Sequence, residues 1–295
     1  MINQIENSVM KISVNTFGAE LKSIKSVIDN KEYLWQGDSK HWKGQSPLLF
    51  PIISGLKDNT YFYEGKKYNL AKHGFALNSE FEFVEEGSDF LKYRLIESEE
   101  TLKSYPFKFE LYVIYTIKEN SLKVTYEVVN KNQNDMYFSI GGHPGFSGDV
   151  NTYVQFDEKV TSERMLFNKE IGLLSRKKGK FFDDEKRVKN EFKNFYNDTI
   201  LFDDLNNKVV YVKNENLKTN IKFSFDDFKY FAIWSMPHED TKTSSPFICV
   251  EPWLGITDYE DTNQDITKKE GIVKLERDKV FKASYLVEIL DINDL

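Results

Sequence analysis

The sequence is poor in the residues that staple small secreted folds or chelate metals: its 295 residues hold one cysteine, four histidines and seven prolines. A lone cysteine, Cys249, excludes an intrachain disulfide and suits a reducing compartment. Inside "FICVE" it reads as a small buried hydrophobe rather than a reactive thiol. No apolar run approaches the roughly 18 residues that a membrane span needs. The amino end, "MINQIENSV", lacks the basic start and apolar block of a signal peptide, so a soluble, cytoplasmic protein with no membrane partner is expected. Positive charge is also in the minority, at 40 basic against 47 acidic residues. A net charge of −7 supplies no field for drawing in phosphate backbones, which makes nucleic acid an unsuitable partner. The basic stretch "SRKKGK" (Ser175 to Lys180) is followed by "FFDDEKR" and reads as a solvated loop or helix face. No internal repeat, Gly/Ser linker or break in composition divides the chain, so residues 1–295 are expected to form a single domain.

What the chain has in quantity is aromatic residues, 24 Phe and 16 Tyr, set in period-two alternation. In "FKFELYVIYTIK", Phe107, Phe109, Leu111, Val113, Tyr115 and Ile117 share one face, the pattern of a half-buried strand. After the polar turn Glu119-Asn120, "SLKVTYEVVN" repeats it with Leu122, Val124, Tyr126 and Val128, which predicts a hairpin. Two more hairpins are predicted, in "TYFYEGKKYNLA" about Glu64-Gly65 and in "EFEFVEEGSDFLKYRLIE" about Gly87-Ser88. Further strands are expected at "VMKISVN", "TYVQF", "KVVYVK", "NIKFSF", "YFAIWSM", "FICVE" and "YLVEIL". The clearest helical spacing is in Asp183 to Phe195, where Val188, Phe192 and Phe195 fall four and three apart. The expected fold is all-β, a large antiparallel β-sandwich with little helix.

With only His41, His73, His143 and His238 available, each histidine can be weighed. In "YFSIGGHPGFSG", Pro144 has no N–H for a sheet ladder and biases His143 toward extended backbone, so a strand ends there. Gly141, Gly142 and Gly145 remove bulk and permit unusual backbone angles, which would let another molecule approach the imidazole. The same residues also fit a tight turn whose histidine caps a neighbouring carbonyl. His73, in "LAKHGFA", lies past a strand end in apolar company and fits either a site or a hydrogen-bonded core histidine. His41 is expected at the surface and His238 in a polar loop. Glu251 follows four apolar residues in "FICVEPWLG" and precedes Pro252 and Trp253. Desolvation there would raise a carboxyl's pKa toward the range of a useful general base; a carboxylate pointing outward from an edge strand fits the same residues.

Three chemistries fit these groups. A divalent metal could be held by His73, His143 and Glu251, although no HExxH or H-x-H spacing supports it, and none is expected. A glycosidase would pair Glu251 with Asp198 or Asp258. Cofactor-free acid–base catalysis would set a glutamate base and a histidine acid across a small polar ligand.

The ordered motifs "GAEL" (Gly18 to Leu21), "SPLLFPI" (Ser46 to Ile52), "HGFA" (His73 to Ala76), "GGHPGF" and "EPWLG" (Glu251 to Gly255) resemble the aldose 1-epimerase, or galactose mutarotase, family, and within it the LacX-like bacterial branch. The resemblance implies the large β-sandwich of the galactose mutarotases and interconversion of the α and β anomers of a free aldohexose, without cofactor. Carried over by motif, Glu251 takes the proton of the anomeric hydroxyl and His143 protonates the ring oxygen. His73 hydrogen-bonds the sugar near that oxygen. Asp198, in "FYNDTILF", matches a sugar-binding aspartate and equally an Asx-type turn, while Trp253 and Trp234 offer aromatic faces to the sugar or belong to the core. One departure stands out. Where the branch is expected to read "FPI-x-GRLKD", with an arginine on the sugar, this chain reads "FPIISGLKDN". Gly55 takes the arginine position and leaves Lys57 as a point charge without the guanidinium's forked geometry. That departure motivates two alternatives on the same fold, a catalytically reduced carbohydrate-binding protein and a hexose-6-phosphate epimerase, the latter disfavoured by the lack of an arginine cluster.

Overall fold

The computed structural model describes residues 1–158, 163–180, 186–203 and 205–291, and antiparallel strands dominate them. Phe109–Lys118 buries Phe109, Leu111, Val113, Tyr115 and Ile117 and leaves the residues between them half-exposed or exposed, as the alternation requires. It pairs with Ser121–Asn130 in the register Lys118↔Ser121, and Glu119 closes the turn at φ 53. The hairpin Thr60–Tyr63/Lys66–Asn69 turns at Glu64 and Gly65, both at positive φ, which matches the twist of paired strands. A third hairpin, Glu82–Glu86/Phe90–Ile96, forms as expected.

These hairpins feed two large sheets. A nine-stranded sheet runs in the order Arg187–Lys189, Tyr153–Phe156, Val209–Asn214, Thr219–Ser224, Val280–Ile289, Ser121–Asn130, Phe109–Lys118, Phe90–Ile96, Glu82–Glu86. An eight-stranded sheet runs Leu173–Lys180, Glu163–Asn168, Ile200–Phe202, Tyr230–Trp234, Phe247–Leu254, Ile140–Gly142, Leu48–Leu49, with Gly145–Ser147 added beside Phe247–Leu254. Leu111, Val113, Tyr126 and Tyr285 from the first sheet and Ile140, Phe146, Ile248 and Val250 from the second belong to one apolar cluster. The fold is therefore the antiparallel β-sandwich read from the alternation. No helix among the described residues is long and apolar enough to cross a membrane.

Two expectations are corrected. The helix expected from Asp183 to Phe195 is, in its described part, the strand Arg187–Lys189 followed by a single helical turn, Phe192–Phe195; residues 183–185 lie outside the described residues. Val188 is buried between exposed Arg187 and Lys189, a triplet that satisfies period two as well as a helical stripe, and pairing with Tyr153–Phe156 decides it. "SRKKGK" lies within the strand Leu173–Lys180, at one edge of the eight-stranded sheet. Its lysines and arginine give that edge the charge that discourages pairing with another chain.

Candidate active site

The strand Phe247–Leu254 is central in its sheet and covered on both faces. Ile248 and Val250 enter the sandwich core. Phe247, Cys249, Glu251 and Trp253 alternate with them and so face the opposite side. Glu251 lies across from small Ala232 of the neighbouring strand, and it is 1 % exposed.

On the other flank the ladder pairs Gly141 with Trp253 and, after an interruption, Gly145 with Cys249. The register is the same on both sides of the break, so the residue facing Glu251 is His143. Pro144 keeps the chain in place through its carbonyl, which accepts from Val250 N at 3.2 Å. His143 Nε2 thus lies 3.2 Å from Glu251 Oε2. The contact lacks hydrogen-bond alignment: both oxygens of Glu251, His143 Nδ1 and Trp253 Nε1 are buried without an aligned hydrogen-bond partner among the described residues, although the Trp253 N–H lies near enough to Glu251 to favour its charged form. The glycines serve close packing rather than unusual backbone angles or an open approach. A Cβ on Gly141 would fall 2.7 Å from the Trp253 ring, and one on Gly145 would fall 3.0 Å from Trp42.

His73 arrives on a separate loop, at φ 67. Its N–H donates to Ser54 O at 2.9 Å, and its Nδ1 accepts from Ser54 N at 3.1 Å. A nitrogen that accepts carries no proton, so the neutral ring holds its proton on Nε2. The His73 ring stands edge-on to His143, with centroids 6.0 Å apart.

Burial governs the charges here. It holds the His73 imidazole well below the ordinary histidine range, helped by His143 and Lys72. It pushes His143 down to about 3 and Glu251 well above the carboxylate range, where Lys72 opposes the rise and Asp198 adds to it. Glu251 and His143 together therefore hold one proton over a wide span of pH, and the pair is neutral overall whichever member carries it.

The cleft above them has a volume of about 230 Å³, below the roughly 300–1,000 Å³ of drug-sized sites and suited to a small ligand. Asp198 lines it at φ 90. Its Oδ1 accepts from Thr199 N at 2.7 Å and Thr199 Oγ1 at 3.1 Å, so the local turn and the cleft position are both real. Trp253 and Trp234 line the cleft as well.

The sequence reading passed over Trp42, Lys72, Ser54 and Thr199, which complete the lining. Trp42 lies against the His143 ring at 4.8 Å. Lys72, the immediate neighbour of His73, is exposed and adjacency to that motif was the available signal. Asp258 is unavailable as a second carboxylate: it is 4 % exposed and bound to buried Lys269 at 2.7 Å. Lys57 does not replace the missing arginine, because its Nζ donates to Glu260 O at 2.7 Å. His41, expected at the surface, is half-buried and meets His238 Nε2 at 3.0 Å, with Ser245 Oγ beside both.

A family model described as aldose 1-epimerase matches residues 1–270. The chain is 28% identical to the plasmid-borne protein LacX of Lactococcus lactis subsp. lactis, over 99% of this chain and 100% of that one. Among solved structures it resembles a galactose mutarotase related enzyme from Lactobacillus acidophilus, with TM-score 0.91 and 31% identity over 98% and 97% of the two chains. A galactose mutarotase-like protein from Lactobacillus casei superposes equally well, with TM-score 0.91 and 25% identity over 98% and 100%.

Proposed function

Since the chain belongs to the aldose 1-epimerase family, we propose that it interconverts the α and β anomers of a free hexose such as galactose or glucose by acid–base ring opening and reclosure. The observation that carries this reading is the His143–Glu251 pair at 3.2 Å, desolvated and holding one proton between two unlike groups. Once a small rotation aligns this contact into a hydrogen bond, a neutral pair can move that proton across it, giving a carboxylate base beside an imidazolium acid without exchange with water. Glu251 then takes the proton of the O1 hydroxyl as the C1–O5 bond breaks, and O5 takes the proton of His143. Rotation about C1–C2 turns the other face of the aldehyde to O5, and the two groups reverse roles as the ring closes.

His73, with its proton fixed on Nε2, serves as a hydrogen-bond donor near the ring oxygen rather than as a second acid. Asp198 has its Oδ2 free of hydrogen bonds among the described residues and accepts from a sugar hydroxyl. Trp253 offers an indole beside the ring. No metal and no cofactor has a part in these steps.

Polarimetry or NMR exchange on freshly dissolved α-glucose and α-galactose tests the proposal: micromolar protein must raise anomerisation above the buffer rate. Glu251→Gln and His143→Asn are each expected to lower that rate by at least about a hundredfold, the scale of a general acid or base. Wild-type rates in either variant would remove its assigned role. Gly55 favours a second reading, a sugar-binding protein of reduced catalysis, which would bind hexose without accelerating its anomerisation. Among the described residues no arginine lines the cleft, which counts against a hexose 6-phosphate.

A further inference from the structure

Cys249 reads in the sequence as a small core hydrophobe, and it is fully buried. It is also two residues from Glu251 on the same face of one strand, so the two side chains project together. One ligand atom each from His143, Cys249 and Glu251 lie within 4.8 Å of one another. The carboxylate that shares this space is 1 % exposed, and among the described residues neither of its oxygens has an aligned hydrogen-bond partner, the Trp253 indole being its one polar neighbour with a hydrogen-bonding influence on it. Gly145 packs tightly beside the thiol, since a Cβ there would lie 3.3 Å from Sγ.

Histidine, cysteine and a carboxylate form a zinc donor set, with bonds of about 2.0–2.3 Å that put donors roughly 3–4 Å apart. The present triangle, within 4.8 Å, is wider than that, and changes of side-chain rotamer have to close it around an ion. Charge also balances: a divalent cation between a thiolate and a carboxylate is neutral overall, so burial opposes the loaded centre far less than it opposes either anion alone.

We propose that this trio is a binding site for a thiophilic divalent cation, zinc, whose occupancy blocks the cleft by engaging His143 and Glu251. The inhibitory part rests on the acid–base reading of those two residues; the binding part does not. Loading displaces the thiol proton and the proton shared by the pair, so the site tightens as pH rises. The cleft side of the ion is left for water, which a sugar would displace or be displaced by.

The test follows anomerisation during a zinc titration at two pH values. Inhibition is expected to be competitive with hexose, stronger at the higher pH and fully reversed by EDTA. Cys249→Ser and Cys249→Ala, each checked by its unfolding temperature, are expected to keep basal anomerisation within about twofold and to need at least about tenfold more zinc, because the soft ligand is gone. Cobalt(II) reads the site without turnover: a near-ultraviolet thiolate-to-cobalt absorption band is expected in the wild type and absent in Cys249→Ala. That band separates a failure of this inference from a failure of the proposed activity. A wild type without the band, or Cys249 variants as zinc-sensitive as the wild type, would overturn the site. So would zinc inhibition abolished by His238→Gln, which would move the ion to the His41–His238 pair.

Discussion

Ser54 occupies the left-handed region at φ 54, a conformation that costs a residue with a Cβ about 1–2 kcal/mol and costs glycine little. The resemblance to the LacX-like branch implies glycine at this place and arginine at the next. This chain carries Ser54 and Gly55 instead, and the strain at Ser54 is held by its two backbone bonds to His73. Gly55 has no positive φ, and a Cβ there would meet only Thr257 Oγ1, at 3.7 Å. The Cβ of Gly55→Arg is therefore accommodated, and a guanidinium that reaches the sugar adds one charged hydrogen bond, about 1.5–3 kcal/mol, which should lower KM roughly tenfold or more with little change in kcat. An unchanged KM would show that position 55 does not reach the ligand. The shared proton makes a second prediction. Between the lowered His143 value of about 3 and the raised value of Glu251, the pair stays in its one-proton state. The kcat/KM profile is expected to run flat through 6.5, where an ordinary histidine titrates. A limb centred there would mean that His143 ionises freely and that the pair does not hold a single proton.

The strand that carries His143 depends on packing as much as on pairing. A Cβ on Gly142 would fall 2.9 Å from both Tyr126 Oη and the Tyr285 ring. Those two tyrosines come from the nine-stranded sheet and pack edge to face at 6.1 Å, so neither can swing aside. Gly142→Ala is expected to cost about 1–3 kcal/mol by overpacking and to lower kcat more than it alters KM, because the strand shifts with His143 attached. Chemical unfolding and steady-state kinetics on one preparation check both halves. Elements of this kind were only partly legible in the sequence. The alternation in Phe109–Lys118 announced a strand because one face is core and the other is not. Glu251 was legible as a candidate buried carboxyl because four apolar residues precede it, although a carboxylate pointing outward from an edge strand fitted the same residues. The facing of His143 and Glu251 was not legible: it follows from the 141↔253 and 145↔249 register, which joins segments over a hundred residues apart. The strand Leu173–Lys180 was missed because an edge strand has few inward positions and carries its charges for the sake of the edge. Trp42 was missed because its neighbours in sequence are polar while its neighbours in space are His143 and Trp234.

At the scale of the whole molecule, the site sets a dependence of stability on pH through two groups whose ionisation the fold opposes. His143 ionises in the unfolded chain below its ordinary 6.5 and in the folded protein only near 3. The unfolded state therefore takes up the extra proton first, and stability falls as pH drops below 6.5. Glu251 behaves in the opposite sense. The unfolded chain releases its proton above 4.5, whereas the folded protein retains it to a well higher pH. Its contribution is complete below 4.5 and is lost as pH rises toward the folded value, at up to about 1.4 kcal/mol per pH unit. Between 4.5 and 6.5 the two slopes oppose and cancel; above 6.5 only that of Glu251 remains. Glu251→Gln cannot ionise and removes that slope. The variant, expected to be slowed by about a hundredfold or more in anomerisation, should gain stability relative to the wild type with each step in pH above 4.5 until Glu251 ionises in the folded protein, and should follow the wild type downward below 4.5, where His143 alone acts. Urea unfolding of both proteins across this range measures the difference directly, and charges elsewhere cancel between them. Parallel curves above 4.5 would mean that Glu251 ionises in the folded protein as it does in the unfolded chain, which would leave the cleft, once His143 is neutral, a base but no proton donor of the kind the ring oxygen requires.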